Sequence, residues 1–313
     1  MHAVVIRDNQ LHWEERADPV PGDTELLVSV KAAGINSADL MQRLGFYPAP
    51  PGWPEDIPGM ELAGEVVAVG RSVRRYGPGD RVMALVGGGA QATMALVDEL
   101  DALAVPDGVD RISAGGFPEA FSTAYDALFT RAGLQMGERV LVSGAAGGVG
   151  TAGVQLAAAA GAHVTATVRN KDHHEAVRQL GAHAVLSPGE EGLGAPYDVV
   201  LELVGQASLT EVLPHLGLWS RVVVVGVGSG GRMEIDLMQL MTKRARIGGV
   251  TLRSRTRQEK ADVAAAVAAH VLPLLAAGHL QVPIAATFPL AEADAAYERF
   301  GAGGKLGKVV LVA

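Results

Sequence analysis

Val140-Leu141-Val142-Ser143-Gly144-Ala145-Ala146-Gly147-Gly148-Val149-Gly150 joins an apolar strand to a turn of small residues and then to an alanine-rich helix. A dinucleotide asks for this order of elements. Backbone N–H groups at a helix N-terminus face its pyrophosphate, and only small side chains let the phosphate oxygens come close. The fingerprint G-x-G-x-x-G fails by one position, because Ala145 stands where the first glycine would be. Alanine fits such a turn as long as φ stays negative. A second stretch, Gly226-Val227-Gly228-Ser229-Gly230-Gly231, satisfies the pattern in full. Arg232-Met233-Glu234-Ile235-Asp236 follows it with no helix start, so it reads as the loop after a later strand, near the coenzyme but not its phosphate cradle. The plain alternative for the first loop is a tight turn that holds nothing. Strand, loop, small-faced helix and second strand in register favour the nucleotide.

Outward from this loop, strand and helix patterns alternate. Strands are expected at 139–142, 163–168, 184–186, 198–203, 221–227 and 246–250, with helices at 149–160, 172–180, 209–216 and 236–241. Gly161, Gly181 and Gly217 stand where left-handed helix caps are wanted. Such alternation implies right-handed crossovers and a parallel sheet. A helix is also expected over 122–131. The first third reads differently, as short strands at 26–30, 62–69 and 81–85, a short helix at 38–44 and a Pro-rich loop from Tyr47 to Pro58. After Arg255 come one helix at 258–277 and two strands, 285–288 and 308–312, which are expected to return to the β-rich domain.

The 313 residues allow about two domains. Twenty-six Lys and Arg against 34 Asp and Glu give a net charge of −8, which disfavours a nucleic-acid partner. Cysteine is absent, so disulfides, thiolate metal sites and a cysteine nucleophile are excluded. No apolar run has the roughly 18 residues of a membrane helix, and Met1 to Asp8 lacks the features of a secretory signal. A soluble cytoplasmic protein is the default expectation.

The second strand of the alternating region ends at Arg169-Asn170-Lys171. About 20 residues after the loop, an NAD site places an acidic residue on the ribose hydroxyls. No Asp or Glu stands at this strand end, and Asp172 lies past it. Arg169 and Lys171 offer positive charge to a 2′-phosphate instead, which favours NADPH over the alternative of a solvated basic strand end.

Further segments give the chain a resemblance. They are Ala33-Gly34-Ile35-Asn36-Ser37-Ala38-Asp39, Gly45-Phe46-Tyr47-Pro48, Ile57-Pro58-Gly59-Met60-Glu61-Leu62-Ala63-Gly64, Thr251-Leu252-Arg253-Ser254-Arg255 and Gly307-Lys308-Val309-Val310-Leu311. With the Ala145–Gly150 loop, they resemble the quinone oxidoreductases of the medium-chain dehydrogenase/reductase superfamily, its zinc-free, zeta-crystallin-like branch. The resemblance spans essentially the whole chain. It implies an α/β protein with a GroES-like β-barrel domain, residues 1–120 and 256–313, and a Rossmann doubly wound parallel sheet, residues 121–255. It also implies NADPH as cofactor, quinones or enones as substrates, and a homodimer joined through the Rossmann edge strand at Ile247 to Thr251. Carried over by position, Asn36 and Thr123 approach the nicotinamide and Tyr47 lines the substrate cleft. Val225 and Val227 lie along the nicotinamide ribose, with Val204 and Gly226 among the coenzyme contacts. Gly144, Ala145, Ala146, Gly147, Gly148 and Val149 hold the pyrophosphate, and Arg169, Asn170 and Lys171 the adenosine end. Asn36 and Tyr47 are the catalytic candidates.

The chain departs from its relatives in several places. The zinc-dependent cousins carry a Cys near Ser37 and a His where Met60 stands, and their structural-zinc lobe is replaced by Gly87-Gly88-Gly89. No metal site is expected. His173 replaces a family Lys, Pro188 a Tyr at the adenosine phosphate, and Met41 a ring of the cleft, leaving Arg169 to bind the phosphate. Without zinc to polarise a carbonyl, the acceptor must already be activated, as quinones and enones are.

Each assignment has a plainer competitor. Asn36 caps the helix that starts near Ala38, and Tyr47 anchors a loop. Arg253 and Arg255 either reach the cofactor or are solvated, and His173-His174 is a solvated helix face rather than a ligand pair. Two other functions compete with the quinone or enone reductase. One is a nucleotide-binding protein with little turnover, in a structural or regulatory role. The other is a 2-enoyl-thioester reductase.

Overall fold

Buried and more exposed residues alternate from Gln10 to Glu15 and again from Glu25 onward, a pattern that pairs strands. The computed structural model describes residues 1–190, 192–194 and 196–313. It opens with a hairpin that the sequence patterns above do not include, β1 (His2–Arg7) and β2 (Gln10–Glu15). Asp8 and Asn9 form its turn with φ of 51° and 62°. This is the conformation that two-residue hairpins require and that Asp and Asn tolerate. There follow β3 (Glu25–Gly34), α1 (Ser37–Arg43), β4 (Glu61–Val69), β5 (Arg81–Leu85), β6 (Met94–Asp98) and β7 (Ala102–Ala104). Two helices come next, α2 (Arg111–Gly115) and α3 (Pro118–Tyr125). In place of one helix over 122–131, α3 runs into a π-helical turn at Asp126–Arg131.

The alternating region contains β8 (Arg139–Val142), α4 (Gly148–Ala159), β9 (His163–Thr167), α5 (His174–Gln179), β10 (Ala184–Leu186), β11 (Tyr197–Glu202), α6 (Gln206–Val212), β12 (Leu216–Val224), α7 (Leu237–Lys243) and β13 (Arg246–Gly249). The strand order is β10-β9-β8-β11-β12-β13 and every pairing is parallel. This is the doubly wound Rossmann order, which reverses direction next to β8. Gly161 and Gly181 have φ of +76° and +113°, as helix caps do. Gly217 does not. It lies inside β12, where an added Cβ would meet the Tyr197 carbonyl oxygen at 2.9 Å, so close approach of two strands selects glycine there. β12 also ends at Val224, which leaves Val225, Gly226 and Val227 in the following loop.

The chain closes with α8 (Arg257–His270), α9 (Leu272–Ala276), β14 (Ile284–Pro289), α10 (Ala293–Gly301) and β15 (Lys308–Val312). Pro273, at the start of α9, lacks the N–H that would continue the ladder, so the expected single helix is two. β15 pairs antiparallel with β3 and parallel with β14, completing the sheet β14-β15-β3-β4-β5-β7, with β6 also on β3. Two compact units result, Met1–Ser122 with Leu252–Ala313, and Thr123–Thr251. The second crossing falls earlier than residue 255 because Leu252 and Arg253 are already buried in the first unit. Among the described residues, no helix is long and apolar enough to cross a membrane.

Asp101, just before β7, is buried beside a small cavity lined in part by Leu85, Ser122, Leu252 and Lys260, and its Oδ1 has no hydrogen-bond partner among the described residues. Burial raises its carboxyl from the ordinary 3.8 to about 6, against the opposing charge of Lys260. The folded chain therefore keeps this proton over the window in which the unfolded chain loses it. That contribution to stability is complete below about pH 4 and lost as pH rises through about 6. Asp101→Asn is expected to flatten the fall in urea-unfolding free energy between these two pH values. An unchanged slope would show that Asp101 ionises as an exposed carboxylate does.

Candidate functional site

In the Thr123–Thr251 unit, the residues singled out around the glycine loop converge at the C-terminal edge of the parallel sheet. Gly144 leaves β8 with φ of +60°, a conformation that favours glycine, and a Cβ on it would meet Val204 Cγ2 at 3.0 Å. Ala145 is buried and donates its N–H to the Thr167 carbonyl (3.0 Å), tying the loop to the end of β9. A Cβ on Gly150 would meet Ala145 Cα at 2.6 Å, so the first turn of α4 lies directly on the loop. Gly147 is the N-cap of α4, and no side chain among the described residues caps the helix. Its first N–H groups are therefore left for a ligand or for solvent.

Arg169 and Lys171 follow two and four residues after Thr167 and are both exposed. Arg169 has no carboxylate partner among the described residues. Asn170 acts locally, its Oδ1 accepting from the Asp172 N–H (3.1 Å) to cap a short 3-10 turn at Lys171–His173. The loop after β11 meets the loop after β12, with Ser229 N donating to the Val204 carbonyl (2.8 Å) and Val225 N to the Glu202 carbonyl (2.8 Å). Val204, Val225, Gly226 and Val227 thus share one edge with the glycine loop. Thr123 is buried in α3.

Glu202, which is not among the candidates read from sequence, organises this edge. It is fully buried at the end of β11. Oε1 accepts from Ser143 Oγ (2.8 Å), Val204 N (2.7 Å) and Gly205 N (2.8 Å), while Oε2 accepts from Ser208 Oγ (2.9 Å). One carboxylate therefore fixes the residue before Gly144 and the loop that carries Val204. A charge inside the apolar run Val199-Val200-Leu201-Glu202-Leu203 is the signal that marks it.

In the other unit, Asn36 precedes α1 and is buried. Its Nδ2 donates to Glu61 Oε1 (2.9 Å) and its Oδ1 accepts from Lys308 Nζ (2.5 Å). Lys308 Nζ is 2.6 Å from Glu61 Oε1 and donates to the Ile35 carbonyl, while Glu61 Oε2 accepts from Glu119 N (2.8 Å). The two charged side chains are 4% and 0% exposed. The Asn36 amide is thereby locked in one orientation. Asp39, fully buried in α1, accepts from Asn36 N (2.8 Å) and Gly59 N (3.1 Å), and burial raises its carboxyl to about 6. Tyr47 lies in the loop after α1, half-buried, with burial raising its phenol. No hydrogen bond joins it to Asn36 among the described residues. Arg253 is neither solvated nor exposed to a ligand: its guanidinium is buried against Gly87, Tyr47 and Gln42.

Among the described residues, no group of three or more His, Cys, Asp or Glu side chains is gathered as a metal site would need. Beside Met60, Glu61 is already engaged by Lys308, Asn36 and Glu119. With no cysteine in the chain, this donor set does not suit zinc.

Residues 22–130 match the alcohol dehydrogenase GroES-like domain, and residues 148–269 the zinc-binding dehydrogenase domain. The chain is 35% identical over 312 residues to a quinone oxidoreductase of Lama guanicoe, covering 95% of this chain and 91% of that protein. It is 29% identical to an acryloyl-coenzyme A reductase of Metallosphaera sedula, covering 99% of each. A solved mycobacterial structure complexed with NADPH is similar over the whole of both chains, with a TM-score of 0.89 at 25% identity.

Removing one partner of the buried pair should leave the other uncompensated. Lys308→Met is expected to cost about 3–5 kcal/mol in urea unfolding. Lys308→Met combined with Glu61→Gln should recover most of that loss. Equal stability of the single and double variants would mean that the pair is not coupled.

Proposed function

The chain belongs to the quinone oxidoreductase family of the medium-chain dehydrogenase/reductase superfamily, and on that footing we propose that it is a zinc-independent, NADPH-dependent reductase of quinones and activated alkenes. The observation that carries this reading is the uncapped N-terminus of α4 behind a loop of small residues. A Cβ at Gly144 or Gly150 would fill or displace that cradle, and its shape and open N–H groups suit a pyrophosphate.

Gly144, Ala145, Ala146, Gly147, Gly148 and Val149 are the residues to hold the diphosphate. Arg169 and Lys171 meet a 2′-phosphate, Val225 and Val227 flank the nicotinamide ribose with Val204 and Gly226 among the coenzyme contacts, and Thr123 lies nearer the ring. Bound NADPH supplies the hydride. Asn36 orients the nicotinamide with an amide that Lys308 and Glu61 already hold still, so little ordering remains to be done on binding. Tyr47 donates a hydrogen bond to the acceptor's carbonyl oxygen, and the proton that completes reduction comes from solvent. Because no zinc polarises the acceptor, its own conjugation must make it electrophilic, which favours quinones and enones over simple ketones. A homodimer through β13 belongs to the same reading, supported by the place of β13 at the open edge of the parallel sheet.

The acryloyl-coenzyme A reductase similarity gives acyl-thioester alkenes a claim as alternative acceptors. Stopped-flow oxidation of NADPH against ortho-quinones, enones and enoyl thioesters separates the two. The expected result is fastest turnover with quinones or enones, unchanged by EDTA. Preference for thioesters would select the alternative, and silence with every acceptor would leave a coenzyme-binding protein without turnover. Arg169→Asp is expected to weaken NADPH binding about tenfold or more while sparing NADH, since it replaces a charge-assisted phosphate contact with repulsion. Unchanged NADPH affinity would remove Arg169 from the site.

A further inference from the structure

Arg253 is 2% exposed and has no ion pair among the described residues. Its Nε donates to the Gly87 carbonyl (2.7 Å), one terminal nitrogen to the Tyr47 carbonyl (3.1 Å), and the other to Gln42 Oε1 (2.6 Å). Its guanidinium carbon lies 5.3 Å from the centre of the Tyr47 ring. Burying a guanidinium without a carboxylate in contact is costly, and Asp39 compensates it only through space. What the charge secures is the placement of three segments: α1, the loop after it, and the turn after β5. A Cβ on Gly87 would meet Trp53 Nε1 at 2.4 Å, so the indole lies against the same backbone that Arg253 holds. Gln42 Nε2 also donates to the Glu55 carbonyl (3.0 Å). With Gln91 N donating to the Pro58 carbonyl (3.0 Å), the loop from Tyr47 to Pro58 is fastened at both ends and in its middle.

The outer end of Tyr47 is different. The hydroxyls of Tyr76, Tyr197 and Tyr297 each donate to an acceptor within the chain. The Tyr47 hydroxyl has no such partner among the described residues. Its backbone and ring face are held while its donor is left over.

We propose that Arg253 is a positioning residue for the electron acceptor: by clamping the Tyr47 carbonyl and ring, it sets the direction in which the Tyr47 hydroxyl donates to a quinone or enone oxygen. This rests on the acceptor role assigned to Tyr47 above. A planar fork bonded on three sides fixes angles that the single ammonium of a lysine does not.

The test is a double-mutant cycle of wild type, Arg253→Lys, Tyr47→Phe and the combined variant. It measures kcat/KM for phenanthrenequinone at saturating NADPH, with the Kd for NADPH measured separately. Each single change is expected to lower kcat/KM about tenfold, mainly through KM, with the Kd for NADPH unchanged. The combined variant should fall no further than Tyr47→Phe, within about twofold. Losses that multiply would show that Arg253 supports the fold and not Tyr47, and wild-type kcat/KM in Arg253→Lys would overturn the inference directly. Wild-type kcat/KM in Tyr47→Phe would instead refute the acceptor role beneath it. Should Arg253→Lys not fold, Gln42→Ala removes one anchor and leaves Arg253 in place. It is expected to lower kcat/KM about threefold only where the Tyr47 hydroxyl is present, and equal losses in both backgrounds would overturn the proposal.

Discussion

The helix Gly148–Ala159 begins without a side-chain cap, and the loops around its first turn are arranged about that opening. Most helices satisfy these N–H groups with Ser, Thr, Asp or Asn. Here Gly147 occupies the cap position and the preceding residues are too small to reach back. The loop is held from outside instead. Thr167 accepts from Ala145, Glu202 accepts from Ser143, and Val204 packs where a Gly144 side chain would be. Rigid surroundings with an open centre favour a ligand that brings negative charge and needs no rearrangement of the protein.

Buried charge has a comparable role in several parts of the chain. Glu202 gathers two loops at the sheet edge, the Glu61–Lys308 pair holds the Asn36 amide, and Arg253 holds the loop that carries Tyr47. A hydrophobic replacement of similar volume is often no less stable than such a buried ionic group. What an apolar residue lacks is direction. Each of these groups bonds to backbone or amide atoms beside a residue assigned to coenzyme or acceptor, so the cost of burial is spent on orientation.

Much of this is legible in the sequence where a local rule governs. The Gly144–Gly150 loop, the alternating strands and the caps at Gly161 and Gly181 depend on neighbours close in the chain. The full G-x-G-x-x-G match at Gly226–Gly231 is outranked by its context, since no helix follows it directly and α7 begins only at Leu237. Expectation and structure part where distant segments decide. Gly217 reads as a cap but is small because Tyr197 passes close by. Arg253 reads as a surface or coenzyme residue, yet its partners Gly87, Tyr47 and Gln42 lie more than 160 positions earlier in the chain. The Asp8–Asn9 turn is a local feature that lacks the glycine by which most two-residue hairpins announce themselves.

The proposed function depends on one interaction: small residues and open amides at the head of α4 are proposed to grip a diphosphate, and the basic strand end beside them to prefer one carrying an extra phosphate. Calorimetric titration of the purified chain with NADPH and with NADH tests it most directly. Saturable binding of one coenzyme per chain, tighter for NADPH, is the expected result. No saturable binding of either nucleotide would contradict it.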